Sequence, residues 1–128
     1  MMNFLEIDWA DSSLDKVEIE YDLAKLTFFN DTFQKNMTVV CTGLAGISNL
    51  CIWDDTYINA WNLAPVTDRS NPFLQDLYAS HDEHFDYGFG NPVRKLTDLL
   101  ELKMQLSNNI WFYVYCLKVE VFDTEELQ

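Results

Sequence analysis

The sequence predicts a mainly β protein, an antiparallel β-sandwich or strongly curled sheet of seven to eight strands with one short helix. Apolar and polar residues alternate along several segments, which is the period of strands with one buried face. Breaks rich in Asn, Asp and Gly separate these segments. With 128 residues and 48% apolar composition, the chain can bury a core despite its charge, so we expect a single acidic β-domain over residues 1–128.

The first half of the chain is predicted to begin with a hairpin. In Val17–Tyr21 the odd positions are apolar and the even ones acidic, which favours a half-buried strand. Asp22-Leu23-Ala24 is interpreted as the turn into a second strand at Lys25–Phe29, which ends at Asn30-Asp31. Asp54-Asp55 is interpreted as another turn. Further strands are expected at Met37–Thr42, Ile47–Trp53 and Tyr57–Leu63.

The middle of the chain predicts the short helix. Asn71-Pro72 combines a capping residue with proline at the first helical position. Phe73 with Leu77, and Leu74 with Tyr78, then pair at a spacing of four, which predicts a helix to about Ala79. Asn91-Pro92 repeats the capping pattern and predicts a helical turn through Leu96.

The last third has the clearest strand pattern. Leu100–Leu106 alternates strictly between apolar and polar residues, which favours a strand over the helix that Val93, Leu96 and Leu100 would also fit. Ser107–Asn109 is the predicted turn into Ile110–Leu117, whose continuous apolar character is typical of a strand buried on both faces. A last strand is expected at Leu117–Val121. The tail Asp123–Gln128 is expected to fray.

The charge is strongly one-sided. Twenty-one Asp and Glu stand against eight Lys and Arg, a net charge of −13. Binding to nucleic acid or to an anionic membrane depends on Lys and Arg, so neither is expected as a partner. An acidic surface steers basic proteins instead, which predicts a basic protein partner. Solubility alone is the alternative reason for the charge.

The start of the chain and its cysteines predict a cytoplasmic protein. Met1–Glu6 has neither the basic region nor the apolar run of a signal peptide, and no stretch has the length of a membrane span. Cys41, Cys51 and Cys116 are odd in number, lie among apolar residues and form no CxxC pair. They are therefore predicted to be reduced, buried thiols.

No reaction centre is recognised, so the chain is predicted not to be an enzyme and no cofactor is expected. His81 and His84 are the two histidines, and a metal site there with Asp82 or Asp86 is the least favoured alternative. Asp54 and Asp55 would point to opposite faces of a strand, which disfavours acid–base catalysis. Serine nucleophile elbows, phosphate-binding glycine loops and calcium loops are missing from the sequence.

A resemblance enters at Trp9-Ala10-Asp11-Ser12, followed by the alternating Val17–Glu20. This opening resembles that of a loose group of small bacterial proteins that begin with Trp-His-Asp-Ser and an alternating strand. Later features also resemble the group: Gly43 to Ile47, the Trp53-Asp54-Asp55 turn and a closing hairpin with a cysteine. Some members are described as immunity proteins against polymorphic toxins, and most have no assigned activity. The group's histidine is Ala10 here, so no catalytic residue is carried over.

These observations together predict a protein that acts by binding. The leading hypothesis is an immunity-type inhibitor that covers a basic toxin surface, and the alternative is a structural or homo-oligomeric module whose strand edges pair with a second copy. Phe85, Tyr87 and Phe89 alternate beside acidic residues, as interface anchors do, although core packing is the competing interpretation, favoured for Trp53 and Trp61. The predicted partner-binding residues are Asp54, Asp55, Asp82, Glu83, Asp86 and Tyr87.

Overall fold

The computed structural model describes residues 2–48, 57–67, 72–77 and 99–127, and they form two four-stranded antiparallel sheets. Sheet A contains β1 (Ser13–Glu20), β2 (Leu23–Asn30), β3 (Lys35–Thr42) and β8 (Lys118–Asp123), in the order β1-β2-β3-β8. Sheet B contains β4 (Gly46–Ser48), β5 (Ile58–Pro65), β6 (Leu100–Leu106) and β7 (Trp111–Cys116), in the order β4-β7-β6-β5. One short helix, α1, spans residues 72–77. The predicted mainly β class is confirmed.

The core lies between the two sheets, because alternate residues of each sheet point inward. Leu26 and Val39 of sheet A and Leu102 and Met104 of sheet B are completely buried in one apolar cluster. Burying a side chain of this size stabilises the fold by about 1.5–3 kcal/mol. Trp9, which precedes β1, closes one end of this core.

Trp9 is held by contacts on both of its sides. Its ring stacks on Phe4 and meets Phe28 edge-on, each at a centroid distance of 5.3 Å. Its indole N–H donates to the carbonyl of Phe4 at 3.1 Å, within a 3-10 helix at Phe4–Glu6. The ring therefore buries a large apolar area without leaving its polar atom unpaired.

β7 is covered on both faces, as its apolar sequence predicts. Phe112 and Val114 face the core between the sheets. On the opposite face, Tyr115 is completely buried and stacks on Phe73 of α1 at 5.6 Å, beside the buried Leu74. The helix predicted after Pro72 is thus present at 72–77, and it covers the outer face of sheet B.

The first hairpin differs from its prediction in turn position and in exposure. The turn consists of Tyr21 and Asp22, because Glu20 pairs with Leu23, so Leu23 and Ala24 belong to β2. A two-residue hairpin turn needs a positive φ at its first central position, and Tyr21 has φ 40°. The apolar face of Val17–Tyr21 is also not buried throughout, since β1 is an outer strand. Ile19 is 57% exposed and Tyr21 is 95% exposed.

The remaining strand predictions agree with the structure except at the tail. β6 has the predicted bounds, and β5 runs from Ile58 to Pro65 rather than from Tyr57 to Leu63. The prediction that the tail frays from Asp123 is wrong for residues 123–127. Asp123 ends β8, and Thr124–Leu127 forms a 3-10 helix. The hydroxyl of Thr124 lies 2.9 Å from that of Thr38, which fixes this turn to β3.

Two of the three cysteines lie among the described residues, and both are buried free thiols as predicted. Cys41 of sheet A and Cys116 of sheet B share a hydrogen bond, and this bond together with burial raises the pKa of the Cys41 thiol. Leu117 joins the two strands here, since its N–H donates to the carbonyl of Thr42 at 3.0 Å. No helix within the described ranges is long and apolar enough to cross a membrane.

The rest of the sequence predictions lie outside the described residues. They are the part of the fourth strand beyond Ser48, the turn at Asp54-Asp55, the last turn of the helix up to Ala79, the helical turn after Asn91, the thiol of Cys51, the side chain of Trp53 and the aromatic residues Phe85, Tyr87 and Phe89.

Candidate partner-binding surface

Three chain segments meet at the end of the sandwich where β1, β3 and β5 begin. They are the loop before β1, the turn between β2 and β3, and the start of β5 beside the β6–β7 turn. Their exposed residues include three aspartates and two aromatic side chains. We call this surface the acidic end and define it by Asp8, Asp11, Asp31, Phe33 and Tyr57.

Ser12 joins all three segments from a completely buried position. Its carbonyl accepts the N–H of Ile58 at 2.9 Å, and its hydroxyl accepts the N–H of Asp31 at 3.4 Å. Its own N–H donates to Trp9 at 3.0 Å. The preceding residue, Asp11, donates its N–H to the carbonyl of Ile58 at 3.0 Å. Ser12 therefore holds Asp31 directly, and it holds Asp11 through the start of β5 at Ile58.

Asn30 makes a second buried link between the same loops. Its side-chain amide donates to the carbonyl of Asp8 at 3.0 Å, and its Oδ1 accepts the N–H of Phe33 at 2.9 Å. Buried polar groups are stable only when hydrogen-bonded, so each end of this amide holds one loop in place. Asp8 and Phe33 are thereby positioned by a residue with no surface exposure.

The aspartates themselves sit in locally fixed backbone. The Oδ1 of Asp8 accepts the N–H of Ala10 at 3.0 Å, closing a small turn. Asp11 has φ 59°, a left-handed conformation that Asp tolerates better than most residues. The amide of Gln34 donates to the carbonyl of Asp31 and lies 3.3 Å from its Oδ1. The carboxylates are exposed, but the backbone that carries them is held.

The charge of the acidic end is not compensated by the cations that the structure describes. Of the described Lys and Arg residues, none forms an ion pair with Asp8, Asp11 or Asp31. On sheet A the situation is different, because Lys16 pairs with Glu18 at 3.0 Å and Lys118 with Glu120 at 3.2 Å. Among the described residues, the carboxylates of the acidic end are therefore less compensated by ion pairs than those of sheet A.

At the border of this surface, Lys35 is engaged by another carboxylate. Its ammonium lies 2.6 Å from Asp123, and this contact, with the N–H of Glu125, lowers the pKa of Asp123. The same ammonium lies 5.8 Å from the centre of the Phe33 ring. Lys35 thus neutralises Asp123 rather than the aspartates of the acidic end.

Aromatic side chains stand exposed among these acids. Phe33 and Tyr57 are each 46% exposed, and Ile110 in the neighbouring β6–β7 turn is 37% exposed. The N–H of Tyr57 donates to the hydroxyl of Ser107 at 3.1 Å, and its carbonyl accepts the N–H of Ser107 at 2.7 Å. Aromatic groups on a fixed backbone make large contact areas at low entropic cost.

The six residues predicted to bind a partner lie outside the described residues. Asp54, Asp55, Asp82, Glu83, Asp86 and Tyr87 therefore stay predictions, and the disfavoured alternative of a metal site at His81 and His84 is not tested either. None of the residues that define the acidic end was predicted to bind a partner, and for Asp31 and Phe33 the sequence did offer a signal. Their available signal was the Asn30-Asp31 break at the end of a predicted strand, followed by an aromatic residue.

The motif that carries the family resemblance has structural roles here. Trp9 packs in the core, and Ser12 is the buried link between loops. Ala10, where the group has histidine, is partly exposed between them. The motif therefore builds the loop that carries Asp8 and Asp11.

A second polar surface lies on the outer face of sheet A. A shallow groove of about 320 Å³ is lined by residues of both charges and by three threonines. Thr38 is buried and lies 3.4 Å from Thr27 and 2.9 Å from Thr124, hydroxyl to hydroxyl. The described residues that line the groove include no histidine or cysteine. No group of three metal-binding side chains occurs in the described part of the chain. This groove offers hydrogen bonds rather than an activated nucleophile.

Comparison with known proteins gives no assignment: no family model, no curated protein and no solved structure matches the chain. The resemblance to immunity proteins consequently stays a prediction from the sequence.

Proposed function

We propose that this chain is a non-catalytic protein-binding domain, an immunity-type inhibitor that uses the acidic end to cover a basic surface of a toxin. The observation that carries the proposal is the set of three exposed aspartates, without cationic partners in the described residues, on loops fixed by Ser12 and Asn30.

Electrostatics favours a basic partner over other ligands. A chain of net charge −13 attracts cationic proteins over a distance of about one Debye length, roughly 8–10 Å at moderate salt. Asp8, Asp11 and Asp31 focus that attraction at one end, and their exposed carboxylates have acceptor sites left for Arg or Lys beyond the hydrogen bonds that Asp8 and Asp31 accept. Opposite charge on the partner would speed association and select the orientation of docking.

The aromatic residues would supply the affinity that exposed charges do not. Phe33 and Tyr57 can lose their remaining exposed area under a partner surface, as residues at the centres of interfaces do. Because the loops are already held by buried hydrogen bonds, little order has to be created on binding. A rigid acidic and aromatic surface is suited to tight inhibition of a basic protein.

The partner should first be captured from the native host at low and at high salt and identified by mass spectrometry. A stoichiometric basic protein that is released at high salt, and whose toxic activity the chain blocks, is the expected result. Absence of a bound protein at both salt concentrations would contradict the proposal.

The site is then tested with two variants of equal charge. One carries Asp→Asn at Asp8, Asp11 and Asp31; the control carries Asp15→Asn, Asp76→Asn and Glu125→Gln, at exposed positions outside the acidic end. Asn keeps an oxygen acceptor and tolerates the positive φ of Asp11, so folding should be preserved. We expect association at low salt to slow about tenfold in the first variant and less than twofold in the control. Equal effects would assign the attraction to net charge and exclude the acidic end.

A further inference from the structure

We propose that two copies of this chain associate as a symmetric dimer in which their β1 strands pair antiparallel, with the two-fold axis at Glu18. The surface is distinct from the acidic end, and the inference does not depend on the function proposed above.

β1 offers an open edge for such pairing. It is an outer strand of sheet A, so one of its sides has no neighbouring strand among the described residues. Glu20 and Leu23 flank a two-residue turn and therefore form a hydrogen-bonded pair. Hydrogen-bonded pairs alternate along an antiparallel ladder, so the N–H and C=O groups of Val17 and Ile19 point away from β2. These four groups per chain are available to another strand.

The apolar side chains of β1 are only partly covered within one chain. Val17 is partly buried against the core, whereas Ile19 is 57% exposed although it lies on the same inward face, opposite the buried Ala24. With the axis at Glu18, Val17 of each copy lies opposite Ile19 of the second copy. Both apolar pairs then fall at positions that exchange backbone hydrogen bonds.

Charge complementarity favours a second copy as the occupant. The outward row of β1 reads Lys16, Glu18, Glu20, and the same register places each Lys16 opposite Glu20 of the second copy. Lys16 already contacts Glu18 of its own chain at 3.0 Å, so its ammonium would lie between two carboxylates. Two such sites offset the repulsion between the two Glu18 side chains at the axis.

A bulge explains why the pairing has this register. The β1–β2 register shifts between Leu14 and Lys16, so the regular part of β1 is the segment 16–20, which is centred on Glu18. An axis at Val17 would instead place Ile19 opposite Asp15 in the bulge, where a bent backbone cannot continue the ladder. The register at Glu18 uses every regular residue of the strand.

The experiment is sedimentation equilibrium of the full chain and its variants at concentrations up to about 100 µM. The expected wild-type species has twice the 15.0 kDa chain mass. Lys16→Glu should weaken association about tenfold, and adding Glu20→Lys should restore it to within about threefold, because the double variant keeps the charge of −13 and inverts both pairs. Rescue by the second substitution is specific to this register.

A second pair of variants tests the apolar contact. Ile19→Lys should give a monomer, whereas the control Leu5→Lys, which makes the same change at a residue of similar exposure (53%) outside β1, should leave the dimer intact. A wild-type monomer throughout the concentration range would overturn the proposal. A dimer that survives both Lys16→Glu and Ile19→Lys would place the interface elsewhere and overturn it equally. A monomer whose partner binding is lost on Ile19→Lys would assign this edge to the partner instead.

Discussion

Asn30→Asp is the substitution that most directly tests how the acidic end is built. The new side chain keeps the shape of Asn30 and can still accept the N–H of Phe33. It loses the N–H group that Asn30 donates to the carbonyl of Asp8 at 3.0 Å. In its place, a carboxylate oxygen would face that carbonyl oxygen at a completely buried position.

The cost follows from these contacts. Loss of one hydrogen bond lowers the free energy of unfolding by about 1 kcal/mol. Placing a charged group against a buried carbonyl acceptor lowers it by roughly a further 1–3 kcal/mol. We expect the free energy of unfolding at pH 7 to fall by about 2–4 kcal/mol. For a domain of this size, 1 kcal/mol corresponds to roughly 4 °C, so Tm should fall by roughly 8–16 °C.

The loss should depend on pH in a defined direction. Burial and the Asp8 carbonyl disfavour the charged form, so the pKa of the new carboxyl is raised on folding. Such an acid destabilises the fold above its unfolded pKa, near 3.9, and the penalty shrinks as pH falls through its raised folded value. Its protonated form can also donate to Asp8. The difference in Tm from wild type should therefore be smaller at pH 4 than at pH 7.

Thermal unfolding followed by circular dichroism at both pH values measures this difference. Asn36→Asp is the matched control, because Asn36 is exposed on β3 and the change in net charge is the same. A Tm for Asn30→Asp within about 2 °C of the control at pH 7 would refute the structural role given to Asn30.

Three further substitutions test other parts of the fold, each measured by urea unfolding. Gly43→Ala should lower the free energy of unfolding by about 2 kcal/mol or more, because Gly43 has φ 68° and an added Cβ would lie 2.9 Å from the side chain of Leu117. An unchanged urea midpoint would contradict this. Tyr21→Asn should stabilise by about 0.5–1 kcal/mol, since Tyr21 is 95% exposed at φ 40°; a loss of stability would show that its ring contributes. Asp123→Asn should destabilise at pH 6, because Lys35 lowers the pKa of Asp123; the difference should begin to shrink only as pH falls below the ordinary Asp pKa of about 3.9, and it should be lost below the lowered pKa of the folded state, so a difference of unchanged size at all acidic pH values would contradict the ion pair.

Two strands, β6 and β7, could be predicted from the sequence because their pattern of apolar and polar residues matches which of their faces are buried. The alternation of Leu100–Leu106 predicted the bounds of β6, because one face of this strand packs against the core and the other does not. The continuous apolar run of β7 correctly indicated cover on both faces, by the core and by α1. In both strands the apolar residues are those that face a packed layer, so the sequence of the strand alone indicates which of its faces are buried.

Features set by strand order could not be predicted in this way. The alternation of Val17–Tyr21 distinguishes two faces, but it does not show that β1 lies at the outside of its sheet. Ile19 is exposed for that reason. The first turn was likewise predicted to extend two residues too far, because Leu23 and Ala24 pair with β1 only in a register that the sequence does not state.

The acidic end depends on contacts between segments far apart in the chain. Ser12 reaches Asp31 and Ile58, and Asn30 reaches back to Asp8, so the surface exists only once three segments have come together. The sequence indicated a Trp-x-Asp-Ser motif and a break at Asn30-Asp31. It did not indicate that Ser12 and Asn30 would be completely buried and would bond to each other's loops.

The two proposed interfaces are geometrically compatible, and salt separates them. β1 starts next to the acidic end and runs away from it, so antiparallel pairing of two β1 strands would direct the two acidic ends in opposite directions. Each copy in the dimer could then hold one partner without contact between the partners. Salt screens attraction between the acidic end and a basic protein, but it also screens repulsion between two chains of charge −13. Rising ionic strength should therefore weaken partner binding steeply but change the dimer less, because screening of the Lys16–Glu20 pairs between the copies opposes screening of the repulsion between the two chains.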